Sequence, residues 1–251
     1  MKEHGEISNG AGPPPEQVTP LAAGETFRFR CHPDAECFTR CCHELELALT
    51  PYDVLRLKNR LKLPSADFLA RYALLGEDNP AQAFPQVYLA MNEEQRAACP
   101  FLGSNGCTVY EDRPSACRAY PLGRGRRLLA GGHQELFVIL REPHCRGFDA
   151  EQEQDAAAWL ADQGLEPYNR LNDALLPLIH HRMVQKGWRP DPAQRERYLL
   201  ALYDLDTLRA MLAAGEIRDP GLLAALDSPT GPDDALLLAA IRWLGHEFFG
   251  R

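Results

Sequence analysis

The segment after residue 49 has the apolar spacing of an amphipathic helix. Thr50 can cap this helix, Pro51 suits its first turn, and Asp53 stands at the capping-box position. The apolar positions on one face are Val54, Leu57 and Leu61. Leu63-Pro64 ends the pattern, so a first helix is predicted from about 50 to 63.

The next segments change from helical to strand periodicity. Ser65 is predicted to cap a second helix. Its inward residues would be Phe68, Tyr72 and Leu75. Residues 87–91 then alternate as a strand does, and segments 126–130 and 135–141 predict a hairpin around Gly131-Gly132.

The last hundred residues predict helices. Residues 151–163 are good helix formers ended by Gly164, and Pro177 should kink or divide the helix that follows. Asp191 begins another helix, predicted to run to Gly215. Two further short helices should begin at Asp219-Pro220 and Pro232-Asp233.

The cysteines divide the chain unevenly. All eight lie between Cys31 and Cys145. Residues 1–26 have no periodicity and contain three consecutive prolines, which predicts a disordered tail. We therefore expect a metal-binding cysteine domain at 27–149 and a helical region at 150–251. The predicted fold class is α+β, mostly helical, with a metal-stapled cysteine-rich domain and a C-terminal helical segment.

Composition and charge narrow the function classes. The chain has 251 residues, 45 % of them hydrophobic, and a net charge of −8. That charge argues against nucleic acid as a partner, and the small basic cluster 123–127 is interpreted as a solvated turn. No hydrophobic signal segment is present, and the longest apolar run, 236–241, is far short of the ~20 residues that span a membrane. A cytoplasmic protein without a membrane partner is expected, and its thiols should stay reduced.

The cysteine pattern predicts a metal site. The candidate ligands are Cys31, Cys37, Cys41, Cys42, Cys99, Cys107, Cys117 and Cys145. Thiolates suit zinc, Cu(I) and iron–sulfur clusters, and the count allows two four-ligand sites or one site with spare thiols. Neighbours in an extended segment point to opposite sides, so Cys41 and Cys42 should share one metal only if the chain bends sharply.

Several alternatives stay open. A disulfide frame, inert core thiols and a Cys/His nucleophile each explain some cysteines. Three histidines next to cysteines could replace thiols as ligands: His32, His43 and His144. Arg113 and Arg118 could donate hydrogen bonds to thiolates or to backbone carbonyls, while Tyr110 and Tyr120 are interpreted as core aromatics.

The segments "CHPDAECFTRCC", "LTPYDVLRLKNRL", "CPFL" and "GCTVYEDRPSACRAYPL", together with Cys145, resemble the YkgJ-like cysteine-cluster family of CxxCxxCC type. The resemblance covers about residues 27–149 and implies a zinc- or iron-chelating domain. Here five residues separate Cys31 from Cys37 and three separate Cys37 from Cys41, whereas the family signature has two in each place. The cysteine region is also similar to that of flagellin lysine N-methylase, which implies that an iron–sulfur enzyme is one reading.

Three functions follow as hypotheses. The first is an iron–sulfur protein with a redox or protein-modifying role. The second is a module with structural zinc whose helical half binds a protein partner. The third is a protein that stores or delivers iron or zinc. Colour, sensitivity to oxygen and exchangeable metal distinguish the three.

Overall fold

The structure is a computed structural model that describes residues 17–76, 79, 81–129, 132–227 and 232–250. Its mixed, mostly helical architecture confirms the α+β fold class. Backbone contacts divide the chain into two compact units. Unit 1 combines the described residues of Met1–Cys42 with Ala116–Leu165, and unit 2 combines His43–Ser115 with those of Glu166–Arg251.

The strands and the helices are each numbered in chain order. The strands are β1 (Val18–Leu21), β2 (Thr26–Arg28), β3 (Ala48–Leu49), β4 (Ala73–Leu75), β5 (Val87–Leu89), β6 (Leu102–Gly103), β7 (Gly106–Cys107), β8 (Leu122–Leu129), β9 (Gly132–Leu140) and β10 (Glu153–Asp155). The helices are α1 (Pro51–Leu61), α2 (Ser65–Tyr72), α3 (Ser115–Ala119), α4 (Ala156–Asp162), α5 (Glu166–Ala174), α6 (Leu176–Ile179), α7 (Arg182–Gln185), α8 (Pro192–Tyr203), α9 (Leu205–Ala213), α10 (Pro220–Leu226) and α11 (Pro232–Phe249).

Unit 1 is built around an antiparallel sheet in the order β1-β9-β8 and a second ladder that pairs β2 with β10. One face of the larger sheet packs on a small apolar core. The buried members are Leu21, Phe27, Phe29, Leu122, Ile139 and Trp159. Cys145 is half-buried against this core. The core therefore fixes the position of at least one candidate ligand.

The segment after Cys145 is held in place because the backbone of Gly147 packs closely against the ring of Phe29. The ring of Phe29 contacts Tyr120, Phe148 and Trp159 edge-to-face, with centroids 5.1–5.6 Å apart. A Cβ added at Gly147 would lie 2.9 Å from two atoms of the Phe29 ring and closer still to a third. The Gly147 carbonyl accepts a hydrogen bond from the N–H of Arg30 at 2.9 Å. Only glycine fits here without moving the ring.

Helix α4 and all of α3 except Ser115 belong to unit 1, and unit 2 contains the other helices, a sheet in the order β3-β5-β4 and the β6–β7 hairpin. Its core is rich in leucine; the fully buried leucines include Leu57, Leu171, Leu202, Leu208 and Leu244. Among the described residues, no helix combines the length and apolarity needed to cross a membrane.

Elements with local signals match the expectation. Thr50 caps α1 and forms the predicted capping box with Asp53. The predicted β-hairpin is present as β8 and β9, although Ala130 and Gly131 lie outside the described residues. The basic cluster 123–127 lies within β8, so its interpretation as a turn was wrong. Helices α5 and α6 are separated just before Pro177, as predicted.

Elements that depend on distant partners differ from the expectation. Ser65 does not cap α2; it lies inside the helix, where its hydroxyl donates to Asp204 Oδ1 at 2.6 Å. Leu75 faces solvent on β4, with 55 % of its surface exposed, because α2 ends at Tyr72. The helix predicted from 151 begins only at Ala156, since Glu153–Asp155 pairs with β2.

Two further differences concern helix length and the N-terminal segment. The predicted helix after Asp191 is interrupted at Asp204, which ends α8 and caps α9. The helix from Pro232 is long rather than short, with 18 residues. Residues 1–16 of the predicted tail lie outside the described residues, but Val18–Leu21 forms β1, because β9 offers its edge. The domain boundaries 27–149 and 150–251 stay a prediction.

Candidate metal centre

The two units hold the cysteines unequally. Unit 1 contains Cys31, Cys37, Cys41, Cys42, Cys117 and Cys145, whereas unit 2 contains Cys99 and Cys107. Three of the eight are exposed, namely Cys31, Cys41 and Cys117, and the rest are half-buried. All eight are thiols, with no disulfide among the described residues.

The adjacent pair lies in a tight turn rather than in an extended segment. Arg40–Cys42 is one 3₁₀ turn, closed by a hydrogen bond from the Cys42 N–H to the Thr39 carbonyl at 2.9 Å. Thr39 enters the turn with a φ of 66°, in the left-handed region that a β-branched residue rarely adopts. Cys41 and Cys42 were expected to share one metal only if the chain bends sharply, and this turn is such a bend.

The two neighbouring thiols interact directly. A hydrogen bond from Cys42 to the Cys41 sulfur lowers the pKa of Cys41 to about 7, while desolvation and the Glu142 carboxylate act in the opposite direction. Thiolate is the form that binds metal. Near neutral pH, Cys41 is therefore partly in the thiolate form that binds metal.

Cys145 lies beside a tyrosine that sequence reasoning assigned to the core. Burial raises the pKa of the Cys145 thiol, and a hydrogen bond donated by the Tyr120 hydroxyl lowers it in part. The Tyr120 ring packs edge-to-face on Phe29 with a centroid distance of 5.6 Å. Tyr120 thus belongs to the apolar core through its ring and to the sulfur site through its hydroxyl.

Cys37 completes a group of sulfurs in unit 1. The backbone N–H of Arg146 donates to Cys37 Sγ at 3.2 Å, and the charge of Cys37 acts on Cys145. Glu142 acts electrostatically on both Cys41 and Cys145. We call Cys37, Cys41, Cys42 and Cys145 the sulfur group.

The two cysteines of unit 2 flank a small hairpin. The Cys99 carbonyl accepts a hydrogen bond from the Leu102 N–H at 3.0 Å, and Leu102 pairs with Cys107 across the hairpin. Gly106 has a φ of 107°, in the region that favours glycine, just before Cys107.

The donor set fits a thiophilic metal by its chemistry, although its atoms are not at coordination spacing. Within the described ranges, no group of three or more His, Cys, Asp or Glu side chains is arranged to hold a metal ion. Thiolates are nevertheless the ligands that zinc and iron–sulfur clusters take. His43 also fits a ligand role, since its buried Nδ1 has no hydrogen-bond partner among the described residues.

The other candidates have different surroundings. His144 Nε2 lies 3.6 Å from Glu142 Oε2, and His32 lines a surface cleft. Arg113 donates to the Tyr110 carbonyl at 2.7 Å, and Arg118 donates to the Gln163 carbonyl at 2.6 Å. These contacts support the carbonyl alternative for both arginines.

Sequence reasoning missed three contributors to the site: the carboxylate of Glu142, the backbone N–H of Arg146 and the close packing at Gly147. Only Gly147 carried a local signal, as a glycine two residues after a cysteine. Glu142 acts on Cys41 and the Arg146 N–H donates to Cys37, and these partners are far apart in the sequence, so no local motif indicates them.

Residues 30–146 match the family model described as "CxxCxxCC: Putative zinc- or iron-chelating domain". The match contains all eight cysteines and lies within the predicted segment 27–149. No curated protein and no solved structure matches the chain significantly. The match supports binding of zinc or iron, without distinguishing the two; the likeness to YkgJ and to flagellin lysine N-methylase stays a resemblance.

Proposed function

We propose that this chain is a cysteine-ligated metal-binding protein whose principal centre is the sulfur group of unit 1. The observations that carry the proposal are the hydrogen bond between Cys42 and Cys41, the electrostatic interaction of Cys37 with Cys145, and the action of Glu142 on both Cys41 and Cys145. The other four thiols, Cys31, Cys99, Cys107 and Cys117, are proposed as further ligands. Their assignment rests on the cysteine pattern and on the extent of the family match.

An iron–sulfur cluster is the first candidate for the cofactor, with a redox or protein-modifying role. Such a cluster supplies one-electron transfer when bound. Two hydrogen-bond donors already point at sulfurs, the Arg146 N–H at Cys37 and the Tyr120 hydroxyl at Cys145. Hydrogen bonds to ligand sulfur stabilise negative charge and raise the reduction potential of a cluster. These two donors therefore support a cluster that gains negative charge on reduction.

Zinc is the second candidate. Four thiolates satisfy a tetrahedral zinc site completely, and the sulfur group has four members. A structural zinc would make the protein an interaction module with a protein partner. Storage or delivery of metal remains a third role, supported by the exposure of Cys31, Cys41 and Cys117. A cytoplasmic location is part of the proposal, because thiols remain reduced there.

The test is metal analysis of protein purified without oxygen, combined with an absorption spectrum and an assay for acid-labile sulfide. Iron, sulfide and a broad band near ~400 nm support the cluster, whereas colourless stoichiometric zinc supports the second candidate. Cys145→Ser should remove most of the metal, because it removes a member of the sulfur group. Ser104→Ala, at an exposed hydroxyl, is the matched control. Wild-type protein that takes up neither metal refutes the proposal.

A further inference from the structure

A cleft opens beside the sulfur group on the surface of unit 1. Its volume is about 340 Å³, and it is lined by Glu36, Cys37, Arg40, Pro143, His144 and Arg146. We propose that this cleft binds a small polycarboxylate anion, with one carboxylate on Arg40 and another on Arg146. The anion would thus lie next to the Cys37 thiol.

The permanent charges of the lining favour an anion. Two guanidinium groups, those of Arg40 and Arg146, face one carboxylate, that of Glu36. Across the described part of the chain, neither guanidinium has an ion pair or a side-chain hydrogen bond. Their ten N–H donors are therefore available to a ligand.

A neighbouring cleft provides an internal comparison. It has a volume of about 610 Å³ and shares Arg146, but its other charged side chains are Arg30, Asp149 and Glu151. Two guanidiniums there face two carboxylates, so the charges balance. The smaller cleft has the surplus of positive charge, and it alone of the two has a cysteine in its lining.

Size and geometry favour a polycarboxylate over a single oxyanion. The volume falls within the range of about 300–1,000 Å³ that is typical of small-molecule sites. A guanidinium binds a carboxylate through two parallel hydrogen bonds. Two guanidiniums on separate segments, the Arg40–Cys42 turn and the residue after Cys145, match an anion with two or more carboxylates.

The position beside Cys37 gives the anion a role, and this part rests on the proposed function. Polycarboxylates chelate iron and zinc through oxygen. In the exchange, a metal–carboxylate bond breaks, a metal–thiolate bond to Cys37 forms, and the thiol proton passes to solvent. No change of oxidation state is needed. The cleft would hold the chelate while its metal passes to the sulfur group.

Binding of citrate to the metal-free full chain tests the site directly. Isothermal titration calorimetry at low ionic strength should show saturable binding that weakens with added salt. Arg40→Gln and Arg146→Gln should each weaken binding roughly tenfold, or ~1.4 kcal/mol. Arg28→Gln removes the same charge from an exposed pair with Glu153 and should leave binding unchanged. The neutral trimethyl ester of citrate should not bind.

Three results overturn the proposal: no citrate binding by the wild type, equal weakening by all three arginine variants, or tighter binding of inorganic phosphate than of citrate. A second assay compares metal uptake from zinc citrate with uptake from a simple zinc salt. Arg40→Gln should slow only the first. If citrate fails to bind but the salt loads the protein, the cleft proposal fails and the metal-binding proposal stands. If citrate binds but no metal is taken up, the metal-binding proposal fails instead.

Discussion

Replacing Gly147 by alanine tests whether the Phe29 ring positions the segment after Cys145. The added Cβ would approach the ring more closely than real Cβ atoms do, with two ring atoms at 2.9 Å and a third nearer. Phe29 is 4 % exposed and touches three other aromatic rings, so it has little room to withdraw. Overpacking of this kind costs about 1–3 kcal/mol.

For a chain of this length, each kcal/mol shifts Tm by roughly 2–4 °C. Gly147→Ala should therefore lower the Tm of metal-free protein by about 2–12 °C, measured by scanning calorimetry. The transition that shifts should be that of unit 1, which contains both Phe29 and Gly147. Gly125→Ala is the matched control, because a Cβ at Gly125 would meet nothing within 4 Å. A Gly147→Ala protein that melts with the wild type would refute the packing argument.

Three other predictions concern hydrogen bonds to a thiol or to a buried carboxylate. Tyr120→Phe removes a donor to sulfur, so the pKa of Cys145 should rise further and its alkylation in metal-free protein should require higher pH, as measured by peptide mass spectrometry. Cys42→Ala should move the alkylation midpoint of Cys41 upward from about pH 7, since Cys42 is the main cause of its lowered pKa. Asp53→Asn should lower the free energy of unfolding in urea by about 1–3 kcal/mol, because both oxygens of this buried carboxylate accept hydrogen bonds, whereas an amide can accept at only one of the two positions.

Two of these variants have a matched control, and the third has a result that would contradict it. Tyr110 is 53 % exposed, so its interpretation as a core aromatic was wrong, and Tyr110→Phe should leave the Cys145 profile unchanged. Asp67→Asn alters an exposed carboxylate and should barely change stability. An unchanged midpoint for Cys41 in Cys42→Ala would mean that the two thiols do not interact. The same lowered pKa means that any stability contributed by the Cys41 thiolate is lost as pH falls through about 7.

Local signals in the sequence were sufficient for elements whose cause is local. The capping box of Thr50 and Asp53 fixes the start of α1 by contacts three residues apart. Leu75 shows the opposite case. It continues the helical period of Phe68 and Tyr72, yet pairing of β4 with β5 ends the helix before it. The competing strand partner lies more than ten residues away and leaves no mark in the periodicity.

The sequence predicted the chemistry of the site, which is that of a thiophilic metal, but it did not predict which cysteines lie together. Eight cysteines indicate a thiophilic metal wherever they lie, which agrees with the family match over 30–146. Their spacing could not show that Cys145 joins Cys37, because 107 residues lie between them. Nor could it show the bend at Thr39 that brings Cys41 and Cys42 into contact.

The discontinuous chain path of unit 1 has a consequence for synthesis in the cell. Cys31–Cys42 leaves the ribosome first, but the unit also needs residues 116–165. At about 5–20 residues per second, the 123 residues from 43 to 165 take roughly 6–25 s to translate. Tyr120, Glu142 and Cys145 are translated only in the later part of that interval, so the first four thiols have none of the three beside them for most of it. The nascent chain therefore passes through a period of exposure to oxidants and stray metals that the folded protein does not share.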